Sequence, residues 1–304
     1  MRDIRVPRVI SEYVIKNLNA PAILVGCRAT DLLISKPCCE YDILVLTDGN
    51  RPHEVMKIGS HWVELLRVPS NSKLLPIIPE SVNRVVLNDM YDIRFSSLRE
   101  TVINNATRLS TKTAIARKLL ITCLMRNPEI DRTSQKFPAI SSMLLKISAY
   151  EIIESLILFY GLTALSLHQL ELVRRYLEPN HYETESISLA LEIIGVERAT
   201  NSVLRRSIPS YSRLAVDRYD RPLIEAKIDF LYRSVMIADC YYYVGKICSD
   251  IVKSQSGEYW HRYKKLIQTG MDLSIDVEHI QRWSSEIRIV AKQLLESHRT
   301  VKVG

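Results

Sequence analysis

The stretch AILVGCRATDLLISKPCCEYDILVL, Ala22 to Leu46, constrains the fold more than any other part of the chain. It reads as an apolar run, a Gly-Cys turn, a short helical segment, and a second apolar run entered through Glu40-Tyr41-Asp42. Ile23, Leu24 and Val25 predict a short buried strand that stops at Gly26, the residue a tight strand-to-helix turn tolerates best. Ile43 to Leu46 predict a second strand. Residues two apart in a strand share a face, so Glu40 and Asp42 project together and Tyr41 points away. Two carboxylates at that separation repel unless a cation lies between them. Carboxylate, phosphate and water oxygens are the donors that Mg²⁺ prefers.

The order and spacing of these residues resemble the signature of the nucleotidyltransferase superfamily related to DNA polymerase β. That signature is an apolar strand, Gly-Ser or Gly-Gly, about a dozen residues, then acidic-x-acidic opening the next strand. Gly26-Cys27-Arg28-Ala29-Thr30-Asp31 stands in the first place and Glu40-Tyr41-Asp42-Ile43 in the second, a match over about 25 residues. The resemblance implies an α+β fold, with a nucleotidyltransferase-type mixed β-sheet domain followed by an all-α domain. It implies transfer of an NMP from an NTP to an acceptor hydroxyl on a protein, an RNA or a small molecule, with Mg²⁺ (or Mn²⁺) as cofactor. Glu40 and Asp42 would be metal ligands, and Gly26, Cys27 and Arg28 would cradle the phosphates. Glu64, in Trp-Val-Glu-Leu-Leu, takes the third carboxylate's place by order, and Asp92 in MYDIRF competes for it. The chain departs from the family at Cys27, where Ser is usual, at Asp31, where Gly is usual, and at Glu40, where Asp is commoner. Arg28 has a second reading, as a surface arginine paired with Asp31. These departures keep open an alternative of another class, a catalytically silent member of the fold acting as nucleotide sensor or interaction partner. An RNA-binding protein is a third possibility.

Composition sets looser bounds. The 304 residues are 47% hydrophobic and 25% charged, as in a globular protein with a core, and suit two domains. A bilayer span needs roughly 18–20 apolar residues; the richest candidate, 149–167, is interrupted by Glu151 and Glu154. MRDIRVPRVI has no apolar signal core, so no secretion signal is expected. The six cysteines form no C-x-x-C pair, which reads as reduced thiols in the cytoplasm, with no membrane partner. A net charge of +7 is compatible with nucleotide or nucleic acid without demanding either.

Along the chain, a helix is expected over 6–18 after Pro7, and a hairpin from 54–58 and 61–68 around Gly59-Ser60. From Leu98 the pattern stays helical, so the domains are read as 1–97 and 98–304. Helices are expected at 98–125, 139–160, 163–177, 184–194, 197–206, 222–254, 257–269 and 276–298. A loop is expected over 127–138 and a polar linker over 209–221. Arg174 and Arg175 before His181 allow an R-x5-H reading similar to HEPN-type RNases, although Pro179 breaks the helix between them. Glu151 and Glu154 read as a solvated helix face or as a base toward an acceptor. Tyr241-Tyr242-Tyr243 read mostly as packing, and Trp260 to Lys265 as an amphipathic basic surface.

Overall fold

The computed structural model describes residues 6–18, 20, 22–29, 36–47, 52–69, 86–88, 109–177, 183–255 and 257–298. They form an α+β protein of two compact units, residues 1–111 with 218–227, and residues 112–217 with 228–304. The expected boundary at 97/98, together with Asp31, Asp92 and His181, lies outside the described residues.

The first unit is built on a five-stranded mixed sheet, in the order β3-β4-β2-β1-β5. The strands are β1 (Ala22–Val25), β2 (Tyr41–Thr47), β3 (Glu54–Ile58), β4 (His61–Pro69) and β5 (Val86–Asn88). β1 pairs antiparallel with β2 and β5, β3 pairs antiparallel with β4, and β2 and β4 run parallel. Helix α1 (Arg8–Asn17) starts after Pro7, whose fixed φ suits a helix entry. Period-2 alternation then divides the sheet's faces. Leu24, Tyr41, Ile43, Val45, Val63 and Leu65 join Ile10 and Val14 of α1, and Leu18 just after it, in one core. Glu40, Asp42 and Glu64 fall on the opposite set of positions.

The second unit is helical. Its helices are α2 (Leu109–Thr133, from its fourth residue), α3 (Pro138–Phe159), α4 (Gln169–Leu172) with a π turn over Val173–Leu177, α5 (Thr184–Ile194) and α6 (Asn201–Leu214). α7 (Arg221–Arg233) gives residues 221–227 to the first unit and 228–233 to the second. α8 (Ile237–Lys253), α9 (Gly257–Gly270) and α10 (Val277–Ser297) follow. α3 is apolar on nearly every side and buried accordingly, with α5, α10 and α8 packed around it. No described helix is long and apolar enough to cross a membrane.

Several boundaries differ from the sequence reading for identifiable reasons. α2 runs through Pro128 to Thr133, where a loop is expected. The buried Asn127, bonded to Ser284, and the fully buried Ile130 anchor the helix on both sides of the proline. α6 likewise carries Pro209 inside it, held by buried Ser207, Ser210 and Tyr211, so the expected linker shrinks to the residues after Leu214. The single helix expected over 222–254 is two helices, broken where Val235 takes φ 58°. The segment 163–168 is not helical; Gln169 donates back to the Ala164 carbonyl instead.

Glu151 is not on a solvated face. It is buried and takes two hydrogen bonds from Arg126, at 2.8 and 3.2 Å, with Lys253 at 3.4 Å. Glu154 is paired with Lys246 at 3.7 Å. Tyr241, Tyr242 and Tyr243 are buried, as a packing role requires. Arg174 pairs with Asp239 at 3.0 Å and Arg175 with Glu171 at 2.6 Å. None of the six cysteines is in a disulfide.

Lys146 is a second buried ionisable group, and the partners at its head are uncharged oxygens. Lys146 Nζ donates to the carbonyls of Ile194 (2.7 Å) and Met271 (2.6 Å) and lies 3.3 Å from the Tyr241 hydroxyl. Burial, and after it the charge of Arg198, lower its pKa to about 7. In the unfolded chain the same ammonium keeps its proton to about pH 10.4. Below pH 7 both states hold the proton; between about 7 and 10 only the unfolded state does, so this group makes stability rise with pH in that window. The melting temperature of the wild type is expected to gain on that of Lys146→Met as pH is raised from 7 to 10. A constant difference across that range would show that Lys146 does not titrate there.

Candidate metal centre

The site is assembled by strand register. β2 and β4 run parallel with Asp42 paired to Glu64, so both side chains leave the sheet on the same side. Glu40, two residues before Asp42, shares that side. The three carboxylates bring ligand oxygens to within 4.8 Å of one another. Glu40 is buried, while Asp42 and Glu64 are half-buried.

Gly26 ends β1 beside this cluster with φ +75°, a left-handed conformation that L side chains rarely adopt. A Cβ built on Gly26 would lie 1.8 Å from Asp42 Oδ2. The glycine therefore serves two purposes: it turns the chain after the strand, and it leaves the space that the Asp42 carboxylate fills. Cys27 to Ala29 form a single 3-10 turn. Cys27 is buried; a hydrogen bond with Cys39, then burial, raise its pKa and keep the thiol protonated.

Arg28 sits beside the cluster in a bracing role. Its Nε and Nη2 donate to the Cys39 carbonyl at 2.9 and 2.6 Å, and Nε also reaches the Glu40 carbonyl at 3.1 Å. The guanidinium lies 4.4 Å from the centre of the Tyr41 ring. Arg28 thus fixes the approach to β2 and, through it, the position of Glu40. The phosphate contact expected of it would have to compete with these bonds.

Two further side chains that touch the cluster come from residues 218–227, far along the chain. Lys227 Nζ lies 2.6 Å from Glu40 Oε1, and Tyr219 donates its hydroxyl to Glu64 Oε1 at 2.7 Å. Arg218 and Asp220 are paired beside Tyr219, with Arg218 Nε to Asp220 Oδ1 at 2.8 Å. Sequence reasoning missed both: Tyr219 falls in the expected linker and Lys227 in the expected long helix. The only local signal is the i, i+4 spacing that puts Leu223 and Lys227 on one buried stripe of α7.

The electrostatics follow from crowding. Burial first, and the charge of Glu40 second, raise the Asp42 carboxyl well above the usual carboxylate range, while Lys227 pulls it down. Burial likewise raises Glu64, against the lowering effect of the Tyr219 hydrogen bond. The Tyr219 hydroxyl is raised by burial and by the Glu64 charge, and so remains a donor. In chemical terms the arrangement is a half-buried set of hard oxygen donors with one ammonium already among them.

The chain matches no protein-family model, no curated protein and no solved structure. Gly26 is the position at which a single substitution probes the geometry of the site most simply. Gly59 provides the control: its φ is +61°, but the nearest atom to an added Cβ is 3.7 Å away. Gly59→Ala is expected to cost about 1 kcal/mol for backbone strain alone. Gly26→Ala is expected to cost at least about 2 kcal/mol, strain plus overlap with Asp42. Urea denaturation of the two variants would measure this, and equal costs would contradict the close approach of Gly26 to Asp42.

Proposed function

We propose that this protein is a nucleotidyltransferase of the DNA polymerase β-like type, which moves an NMP from an NTP to an acceptor hydroxyl. The observation that carries the reading is the convergence of Glu40, Asp42 and Glu64 within 4.8 Å, on adjacent parallel strands next to a glycine turn. Three further features support it. The donors are all carboxylate oxygens, which suits Mg²⁺ or Mn²⁺. Gly26 leaves the room that Asp42 occupies. The Lys227 ammonium lies 2.6 Å from Glu40, which is the neutralisation that a cluster of acidic groups calls for when no metal is bound.

In this reading Glu40, Asp42 and Glu64 hold the divalent metal. When bound, the metal supplies Lewis-acid chemistry: it favours ionisation of the acceptor hydroxyl and offsets charge on the leaving group. The bond from the acceptor oxygen to the α-phosphorus forms, the bond from that phosphorus to the bridging oxygen breaks, and pyrophosphate leaves. The carboxylate cluster takes the hydroxyl proton. Tyr219 orients Glu64 through its hydrogen bond, and Arg28 holds the backbone at Glu40 in place.

A second reading, a silent member of the same fold that binds nucleotide without turnover, is favoured by Arg28, whose donors are already turned to backbone carbonyls. The two are separated by incubating the protein with α-³²P-labelled NTPs and Mg²⁺ or Mn²⁺, with cellular RNA and protein as acceptors. Transferred label is expected with the wild type, falling at least about a hundredfold in Asp42→Asn. Nucleotide binding without label in any condition would select the silent reading.

A further inference from the structure

We infer that Lys227 is the site's own counter-ion: its ammonium neutralises Glu40 when no metal is bound and must leave Glu40 for a divalent cation to be taken up. The inference rests on the metal-dependent reading above and gives that site a built-in control on its metal affinity.

The geometry is direct. Lys227 is buried on α7, in the part of that helix belonging to the first unit, and its Nζ lies 2.6 Å from Glu40 Oε1. That distance is a contact ion pair, with the ammonium on an oxygen that a metal held by Glu40 would call on. Three carboxylates within 4.8 Å would otherwise carry strong mutual repulsion in a half-buried site. A divalent ion supplies the same neutralisation with twice the charge, so ammonium and metal are redundant there and repel each other. The two occupancies of Glu40 are therefore alternatives. Tyr219 is not part of this exchange; it is neutral and bonded to Glu64, so it leaves the charge balance unchanged.

The test measures metal binding, independently of turnover. Free Mn²⁺ is followed by electron paramagnetic resonance during titration of the wild type, Lys227→Gln, Lys227→Arg and Asp42→Asn, each first checked for folding by circular dichroism. Gln keeps a hydrogen-bond donor beside Glu40 without the charge, and Arg keeps the charge. Lys227→Gln is expected to bind Mn²⁺ about tenfold more tightly or better than the wild type, Lys227→Arg no more tightly, and Asp42→Asn more weakly. Should Lys227→Gln not fold, the wild type alone decides. Acylation of Lys227 by an amine-reactive ester, read by mass spectrometry, is expected to rise when Mg²⁺ is added, and not in Asp42→Asn. Mn²⁺ binding that is equal in wild type and Lys227→Gln, or acylation indifferent to Mg²⁺, would overturn the role of Lys227 and leave the metal centre standing. No Mn²⁺ binding by any of the proteins would overturn both.

Discussion

Three acidic side chains share one side of the sheet in this protein, and holding them together in a half-buried place is the most demanding electrostatic arrangement of the first unit. Two full charges about 4.8 Å apart would repel by roughly 3 kcal/mol at an effective dielectric of 20; Glu40, Asp42 and Glu64 lie within that distance of one another, and the raised pKa of Asp42 and Glu64 relieves part of the repulsion. A chain that holds them together must supply neutralisation and fixed backbone. Lys227 provides the first from one side and Tyr219 steadies Glu64 from another. Arg28 provides the second, tying the Cys39 and Glu40 carbonyls together beneath the cluster. Such an arrangement has little value to a merely structural sheet, where apolar residues at the same positions would be at least as stable.

The rest of the unit follows from placing these groups. The α1 face of the sheet is filled with aliphatic side chains, so the strands stay in register and the acidic positions stay on the other face. The parallel pairing of β2 and β4 sets Asp42 beside Glu64, and Gly26 lets β1 end against Asp42 without a clash. Charge is handled differently in the helical unit. Glu151 is sealed by Arg126 and Lys253, and Lys146 is held by backbone carbonyls. These groups are paired off in the packed interior and offer no comparable cluster of acidic oxygens among the described residues.

Much of this was legible in the sequence where the physics is local. The two apolar runs around Gly26, the hairpin at Gly59-Ser60 and the shared side of Glu40 and Asp42 all follow from period-2 alternation. The place of Glu64 followed from strand order, and register pairs it with Asp42. Lys227 and Tyr219 were not legible, because residues more than 150 positions away reach the site only through tertiary structure. The helix break at Val235 carries no glycine or proline to announce it. Pro128 and Pro209 misled in the other direction, since buried neighbours on each side outweigh the roughly 3 kcal/mol a proline costs inside a helix. Arg28 reads from the sequence as a phosphate ligand or as a partner of Asp31; its bonds to the Cys39 and Glu40 carbonyls depend on tertiary surroundings that the sequence does not announce.

The central claim is that Glu40, Asp42 and Glu64 form one divalent-cation site. An anomalous-difference map from crystals soaked in Mn²⁺ tests it without reference to turnover. A peak is expected within bonding distance of oxygens of Glu40, Asp42 and Glu64. A map with no peak there, and Lys227 still in contact with Glu40 at saturating Mn²⁺, would contradict it.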